Sequence, residues 1–203
     1  MDPNTFPTKG NLIAAKKSLA LAKQGYELMD KKRNILIQEL MNLIDKAKDV
    51  QAEIDSTFTA AYKSLQEANI EMGIHEVERV SLTVPKEESI VIKTRSIMGT
   101  EIPLVEYDKE EGVPSYDLYD TTVSLDEAYA HFSKVKELTI RLSMIENSAY
   151  RLANSIKKAQ KRANALKNIT IPKFEELTIS ISNSLEEKER EEFARLKVKK
   201  CHK

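Results

Sequence analysis

Apolar residues recur every three or four positions over the first third of the chain, which places them on one face of an α-helix. From Asn11 to Met72 there is no proline, and Gly25 is the only glycine. The steps follow the heptad repeat of a coiled coil, with Arg33 as a polar member. Two successive steps of four, at Val50, Ile54 and Phe58, predict a stutter that locally unwinds the supercoil. The predicted seam is Leu12, Ala15, Leu19, Ala22, Tyr26, Met29, Arg33, Leu36, Leu40, Leu43, Ala47, Val50, Ile54, Phe58, Ala61, Leu65, Ala68 and Met72.

A second long helix is predicted from Ser124, which stands three residues before Glu127 in the spacing of a capping box. Its seam is Leu125, Ala128, Phe132, Val135, Leu138, Leu142, Ile145, Ala149, Leu152, Ile156, Ala159, Ala163, Leu166, Phe174, Leu177, Ile181 and Leu185. Pro172 interrupts this pattern, because proline has no N–H to donate and clashes with the preceding turn. We expect a kink or a short break near residues 169–171, and the recovery of the seam afterwards favours the kink.

The segment between the two helices has a different pattern. Val80, Leu82 and Val84 alternate with polar residues, as do Ile90 and Ile92, which predicts two strands joined by a turn at residues 85–89. Glycines and prolines punctuate the rest, so loops are expected after the hairpin. These residues are Gly99, Pro103, Gly112 and Pro114.

The predicted fold class is all-α dominated, a long antiparallel two-helix coiled coil with a small β-hairpin and loop insert between the helices. The predicted segments are an N-terminal tail 1–10, a first helix 11–73, the insert 74–123, a second helix 124–200 and a tail 201–203. At 1.5 Å per residue each helix would be on the order of 90 Å long. Gly25 and the seam alanines are expected to let the helices approach closely. A single seam would leave Phe58, Phe132 and Leu138 uncovered on its sides.

Composition supports an elongated helical protein rather than a compact one. Hydrophobic residues make up 41% and aromatic residues only 6% of the 203 residues. Lys+Arg and Asp+Glu both number 32, so no overall basic field favours nucleic acid. No apolar run is long enough for a membrane helix, and no secretion signal precedes the first helix, so we expect a cytoplasmic protein without direct membrane insertion.

The sequence contains no phosphate-binding glycine loop, dinucleotide fingerprint or nucleophile elbow, so we predict a non-catalytic chain with no cofactor. Cys201 is the only cysteine and excludes an intramolecular disulfide. A metal site at Cys201 and His202 is not expected, because His75 and His131 are isolated and a structural zinc needs about four ligands.

Cations concentrate near both ends of the sequence, and an antiparallel pair would bring them to one end of the rod. Two interpretations remain open: a basic tip that faces an acidic partner, or a solvated helix surface. Arg190 and Arg195 also stand four residues after Glu186 and Glu191, an order that favours ion pairs within a helix. The candidate partner-binding residues are Lys9, Lys16, Lys17, Lys23, Lys31, Lys32, Arg33, Arg190, Arg195 and Lys197.

Several segments together resemble the D subunit of the V-type and archaeal-type rotary ATPases. They are Pro-Thr-Lys-Gly-Asn-Leu at 7–12, Lys-Lys-Arg-Asn at 31–34, Ser-Ile-Met-Gly-Thr-Glu-Ile-Pro at 96–103, Arg-Ala-Asn-Ala-Leu at 162–166, Ile-Pro-Lys at 171–173 and Glu-Arg-Glu-Glu-Phe-Ala-Arg-Leu-Lys at 189–197. The similarity extends over nearly the whole chain.

The resemblance implies a central rotor shaft that couples ATP hydrolysis or synthesis to ion movement across a membrane. The implied partners are the catalytic A and regulatory B subunits of a ring, the F subunit on the side of the shaft, and an adaptor subunit that joins it to the membrane ring. The nucleotide sites would belong to the ring, and the chain would lie peripheral to the membrane. A prefoldin-like chaperone and a coiled-coil scaffold are the alternatives from other functional classes.

Overall fold

Helices account for most of the described chain. The computed structural model describes residues 6–84, 90–107, 116, 117, 119 and 121–201. The elements are α1 (Lys9–Met72), α2 (Ile74–Ser81), β1 (Ile90–Ile97), β2 (Thr100–Tyr107), α3 (Val123–Ala165), a π-helical turn (Leu166–Thr170) and α4 (Ile171–Cys201). The predicted all-α coiled coil with a β-hairpin insert is confirmed. The predicted turn at 85–89, the loop residues Gly112 and Pro114, residues 1–5 and residues 202–203 lie outside the described residues.

The chain divides into two compact units, one formed by Met1–Ile35 with Ile156–Lys203 and the other by Leu36–Ser155. In the first unit Lys9 lies 3.0 Å from Glu189 and Lys23 lies 2.8 Å from Glu175. In the second unit Lys134 lies 3.0 Å from Glu53. The later residue on α1 therefore pairs with the earlier residue on α4. This order shows that α1 and α4 run antiparallel within the first unit.

The buried seam of α1 follows an uninterrupted heptad repeat through Thr57 and Ser64, which are 8% and 7% exposed. Phe58 and Leu65, which we assigned to the seam, are half-buried beside it. Thr57 enters the seam because its Oγ1 donates a hydrogen bond to the Glu53 carbonyl at 2.7 Å, so the buried hydroxyl is satisfied within its own helix. The predicted stutter is wrong, because it assigned the apolar Phe58 and Leu65 to the seam in place of the smaller polar residues that precede them. The buried positions here are Val50, Ile54, Thr57, Ala61, Ser64 and Ala68.

A π-helical turn stands near Pro172, where a kink or a short break was expected. The Ile171 N–H donates to the Leu166 carbonyl five residues earlier, and the described backbone stays helical on both sides, so the predicted break does not occur. A heptad continued from Leu166 would bury positions 173 and 180, whereas Lys173 and Ser180 are exposed. Ile181, one position later, is only 2% exposed. The wider π-helical turn therefore accommodates one extra residue. The apolar side chains of α4, such as Ile181, consequently lie on the buried side of the helix pair again.

The predicted strand at Val80–Val84 is wrong, because Val80 lies in α2. Val77 and Val80 stand three residues apart on this helix and pack against a cluster that contains Ala68 and Leu125. The burial that Val77 and Val80 gain on a helix thus outweighs the alternation of apolar and polar residues at 80–84 that predicted a strand. α1 ends before Gly73, whose φ of 88° is accessible mainly to glycine.

The hairpin begins at Ile90 and includes none of the residues from Val80 to Val84. β1 and β2 pair antiparallel, with Ile97 opposite Thr100 and Ile90 opposite Tyr107. The two connecting residues, Met98 and Gly99, have φ values of 48° and 73°. Positive φ at both central positions is the conformation that tight hairpin turns favour.

Ser124 does not cap α3 as predicted. The helix starts one residue earlier, and the Leu125 and Asp126 N–H groups donate to the Thr122 carbonyl. The Ser124 hydroxyl instead donates to the Glu71 carboxylate of α1 at 2.9 Å. The side chain therefore joins two helices rather than closing one.

Two packing expectations also change. A methyl group at Gly25 would lie 3.6 Å from Cδ1 of Leu166, an ordinary contact, so close backbone approach is not the reason for this glycine. Leu138 is 6% exposed and packs with Val50, Ile54 and Ile145, rather than lying uncovered. Phe58 and Phe132 are half-buried.

Candidate partner-binding surface

Two of the predicted partner-binding cations form ion pairs between helices within the first unit. Lys9 pairs with Glu189, and Lys23 pairs with Glu175, across two helices of the chain. All four side chains remain largely exposed, so each pair contributes at most about 1 kcal/mol. The pairs align α1 with α4 and lower the net positive charge that these lysines offer to a partner.

Arg33 occupies a seam position rather than the outer surface. Its guanidinium lies 2.6 Å from the Asp30 carboxylate and donates to Gln160 on α3 at 2.8 Å. It also donates to the side-chain oxygen of Asn34. Gln160 in turn donates to Asn164 at 2.9 Å. This arrangement forms a polar layer between the two helices.

Arg190 and Arg195 form the predicted pairs within α4. Arg190 lies 3.8 Å from Glu186, and Arg195 lies 3.5 Å from Glu191. These exposed pairs at i,i+4 spacing support the last turns of the helix by tenths of a kcal/mol.

The remaining candidates form no ion pair with any residue that the structure describes. Lys32 is half-buried, and the others are exposed on α1 and α4. Their role in binding a partner stays a prediction, and their cationic head groups are free to meet one. These residues are Lys16, Lys17, Lys31, Lys32 and Lys197.

An exposed apolar stripe, which was not among the sequence predictions, accompanies the lysines. Leu21, Leu28 and Ile35 are 67%, 63% and 40% exposed and follow one another at seven-residue spacing on α1. Seven residues are close to two helical turns, so the three side chains lie on one face. A second heptad series outside the main seam was the available signal. Phe193 and Leu196 are also exposed near the end of α4.

An apolar cavity of about 270 Å³ lies in the second unit, where Tyr116, Tyr129, Val77 and Leu125 contribute to its lining. Tyr116 is buried, and its hydroxyl donates to Asp126 at 2.8 Å. Burial and this hydrogen bond to a carboxylate both raise the pKa of the Tyr116 phenol above its usual value. Tyr116 therefore holds its proton and acts as a hydrogen-bond donor here.

Within the described ranges, no three His, Cys, Asp or Glu side chains are grouped so that they could hold a metal ion. The Cys201–His202 pair, where no metal site was expected, extends beyond those ranges. None of the described helices has an apolar stretch of the length that spanning a bilayer requires.

Comparison with known proteins identifies the family. A family model for the ATP synthase D subunit matches residues 11–200. The D subunit of the V-type ATP synthase of Thermotoga neapolitana is 46% identical over 94% of this chain and 94% of its own length. The D subunits of the A-type ATP synthases of Thermococcus kodakarensis and Pyrococcus horikoshii are 34% and 36% identical, over 96% and 94% of this chain and 92% and 91% of their own lengths. With a match that extends over both helical segments and the hairpin, the chain belongs to the D-subunit family of the V-type and A-type ATP synthases.

Proposed function

We propose that this chain is the central rotor shaft of a V-type or A-type rotary ATPase, which couples ATP hydrolysis or synthesis in an A/B ring to ion transport across a membrane. The observation that carries the proposal is membership of the D-subunit family along residues 11–200. The chain itself would be non-catalytic and would lie on the cytoplasmic side, peripheral to the membrane. Its partners would be the A and B subunits, the F subunit and the adaptor to the membrane ring.

The helix pairing supports a torque-bearing role. A shaft must resist sliding and twisting of one helix against the other, which requires contacts along the paired helices. The first unit supplies them through Lys9–Glu189, Lys23–Glu175 and the Arg33–Gln160 hydrogen bond. Buried seam residues such as Leu36 and Leu152, each 0% exposed, supply apolar contacts.

The exposed surface of the first unit supports a role in contacting the ring. The free lysines described above and the stripe of Leu21, Leu28 and Ile35 combine charge with apolar area on an otherwise solvated helix. Cations that meet acidic ring surfaces would have a salt-dependent attraction, and the apolar stripe would lose water on binding. The cations that pair within the chain are weaker candidates for this contact.

The family match supports the rotor shaft over the prefoldin-like chaperone and the coiled-coil scaffold, because neither alternative accounts for the similarity across helices and hairpin together.

A rotation assay tests the proposal. The chain is reconstituted with the A, B and F subunits, the ring is fixed to a surface, and a bead is attached to the chain. ATP-driven stepwise rotation of the bead is expected. The control omits this chain and attaches the bead to the F subunit, where no sustained rotation is expected. A ring that hydrolyses ATP and holds the chain without turning it would overturn the shaft proposal.

A further inference from the structure

The two edges of the β-hairpin have different environments. The outer edge of β2 faces α3, where the Val105 N–H donates to Sδ of Met144 at 3.3 Å. The Glu101 carbonyl accepts from Arg151 at 3.3 Å. Between them stands Pro103, which has no N–H to leave unsatisfied. The outward polar groups of β2 are therefore largely occupied.

The outer edge of β1 is open. Ile97 and Thr100 flank the two-residue turn and exchange hydrogen bonds, and such pairs alternate along an antiparallel ladder. The backbone groups of Ile92, Thr94 and Ser96 consequently point away from β2, and none bonds to any residue that the structure describes. Every residue from Ile90 to Ser96 is exposed.

We propose that the open edge of β1 is a docking site at which an extended, acidic and apolar segment of a partner protein adds as a third strand. An edge of this length with β-branched residues is a template for strand pairing. Ile90, Val91 and Ile92 are 42%, 54% and 68% exposed and would lose water on pairing. The site lies in the second unit, and the inference does not depend on the rotor function.

The charges on β1 determine the chemistry of the partner. Lys93 and Arg95 lie on the same face of the strand, because side chains two residues apart share a face. Lys93 pairs with Glu106 of β2 at 2.6 Å, whereas Arg95 has no ion-pair partner among the described residues. A partner carboxylate opposite Arg95 would give this guanidinium an ion pair, as Glu106 does for Lys93.

A second copy of this chain fits the edge poorly. The antiparallel self-pairings that place two different members of the outward set Ile92, Thr94 and Ser96 opposite each other are centred on Lys93, Thr94 or Arg95. Each such register puts Lys93 opposite Arg95, Lys93 opposite Lys93, or Arg95 opposite Arg95, and like charges in direct cross-strand positions are destabilising. Charge therefore favours a different, acidic protein.

The test uses the full chain and a synthetic peptide, Val-Glu-Val-Glu-Val-Glu-Val, which places valines beside Ile92 and glutamates beside Arg95. Binding is followed by NMR at millimolar peptide, together with amide hydrogen exchange. The exchange of the outward amides of Ile92, Thr94 and Ser96 is expected to slow at least about tenfold. The inward amides of Lys93 and Arg95 serve as internal controls, because β2 already protects them. The matched peptide with lysine in place of glutamate is expected to bind at least about tenfold more weakly.

Three variants make the test specific. Thr94→Pro removes an outward N–H and keeps the inward ladder, so it is expected to abolish binding, whereas Thr94→Ala keeps the N–H and the binding. Arg95→Glu is expected to reverse the preference toward the lysine peptide. Equal binding by the two Thr94 variants, or unchanged exchange at the outward amides with saturating peptide, would overturn the inference. A wild-type dimer in light scattering that Thr94→Pro converts to a monomer would also overturn it, because the edge would then bind a second copy.

Discussion

Nη1 of Arg33 donates to Oε1 of Gln160 at 2.8 Å, which joins α1 to α3 through the centre of the seam. The carboxylate of Asp30 compensates the charge at 2.6 Å. A polar residue at a seam position of a coiled coil specifies register, because a shifted alignment leaves it without its partner. This arrangement favours a structural role for Arg33 over the predicted contact with a ring.

We expect Gln160→Leu to lower the free energy of unfolding by about 1.5–3 kcal/mol, since hydrogen bonds to charged groups are worth that amount. Urea unfolding followed by circular dichroism measures the change. Gln38→Leu is the control, because Gln38 is exposed on α1 and should change stability by less than about 0.5 kcal/mol. Equal effects of the two substitutions would show that the polar layer adds no stability.

The π-helical turn predicts an unusual tolerance to deletion. Leu166 and Ile181 are fifteen positions apart, and removal of Asn168 would leave fourteen, the length of two heptads. In a Pro172→Ala background, which removes the clash with a regular helix, we expect deletion of Asn168 to preserve folding and stability.

Deletion of the exposed Glu146 in the same background is the matched control. It turns the following residues by about 100° around the helix axis, so buried side chains such as Leu152 would leave the seam. A loss of about 3 kcal/mol or more is expected from thermal and urea unfolding. Similar losses for both deletions would contradict the phase-correcting role of the turn.

Gly25→Ala should raise the free energy of unfolding by about 0.4–1 kcal/mol, because alanine favours the helix and its methyl group fits beside Leu166. Gly73→Ala provides the contrast. Its φ of 88° should make alanine destabilising by about 1–3 kcal/mol. Both values follow from urea unfolding, and a destabilised Gly25→Ala protein would restore the close-approach explanation for this glycine.

Tyr116 should make stability fall at high pH. The raised pKa means that the native state keeps the phenolic proton where the unfolded chain, with a pKa of about 10, has lost it. The contribution to stability is therefore complete below about pH 10 and is lost as the pH rises further. The difference in free energy of unfolding between wild type and Tyr116→Phe, measured from pH 8 to about 11, should narrow toward high pH. Tyr119→Phe, which changes a tyrosine that is 95% exposed, should leave the profile unchanged.

Reversal of the free lysines should affect coupling more than folding. Single changes of Lys16, Lys17 and Lys31 to glutamate remove no ion pair with a described residue, so each should alter stability by less than about 0.5 kcal/mol. If they face acidic ring surfaces, torque in the assembled complex should fall, and its salt dependence should weaken. Lys46→Glu, on the same helix in the second unit, is the control. Unchanged torque in all three variants would leave only a solvating role for these lysines.

The sequence by itself determined the helices and the inward-facing side of each. All seam residues that we assigned, from Leu12 to Met72 and from Leu125 to Leu185, are buried or half-buried. This succeeds because helical periodicity is a local property, and the apolar residues at seam spacing must leave water together. The family resemblance likewise depended on short continuous segments.

The tertiary structure decided the features that depend on distant partners. Thr57 enters the seam because α1 can satisfy its hydroxyl and the helix pair has space for a small side chain there, which apolar counting does not detect. Ser124 bonds to Glu71 across helices, and Arg33 turns to Gln160 more than a hundred residues away. Val80 joins a helix because Ala68 and Leu125 offer it a buried contact. The π-helical turn arises because the apolar side chains of α4 must face α1. Its place is therefore determined by the packing of two helices, and not by the residues at 166–170 alone.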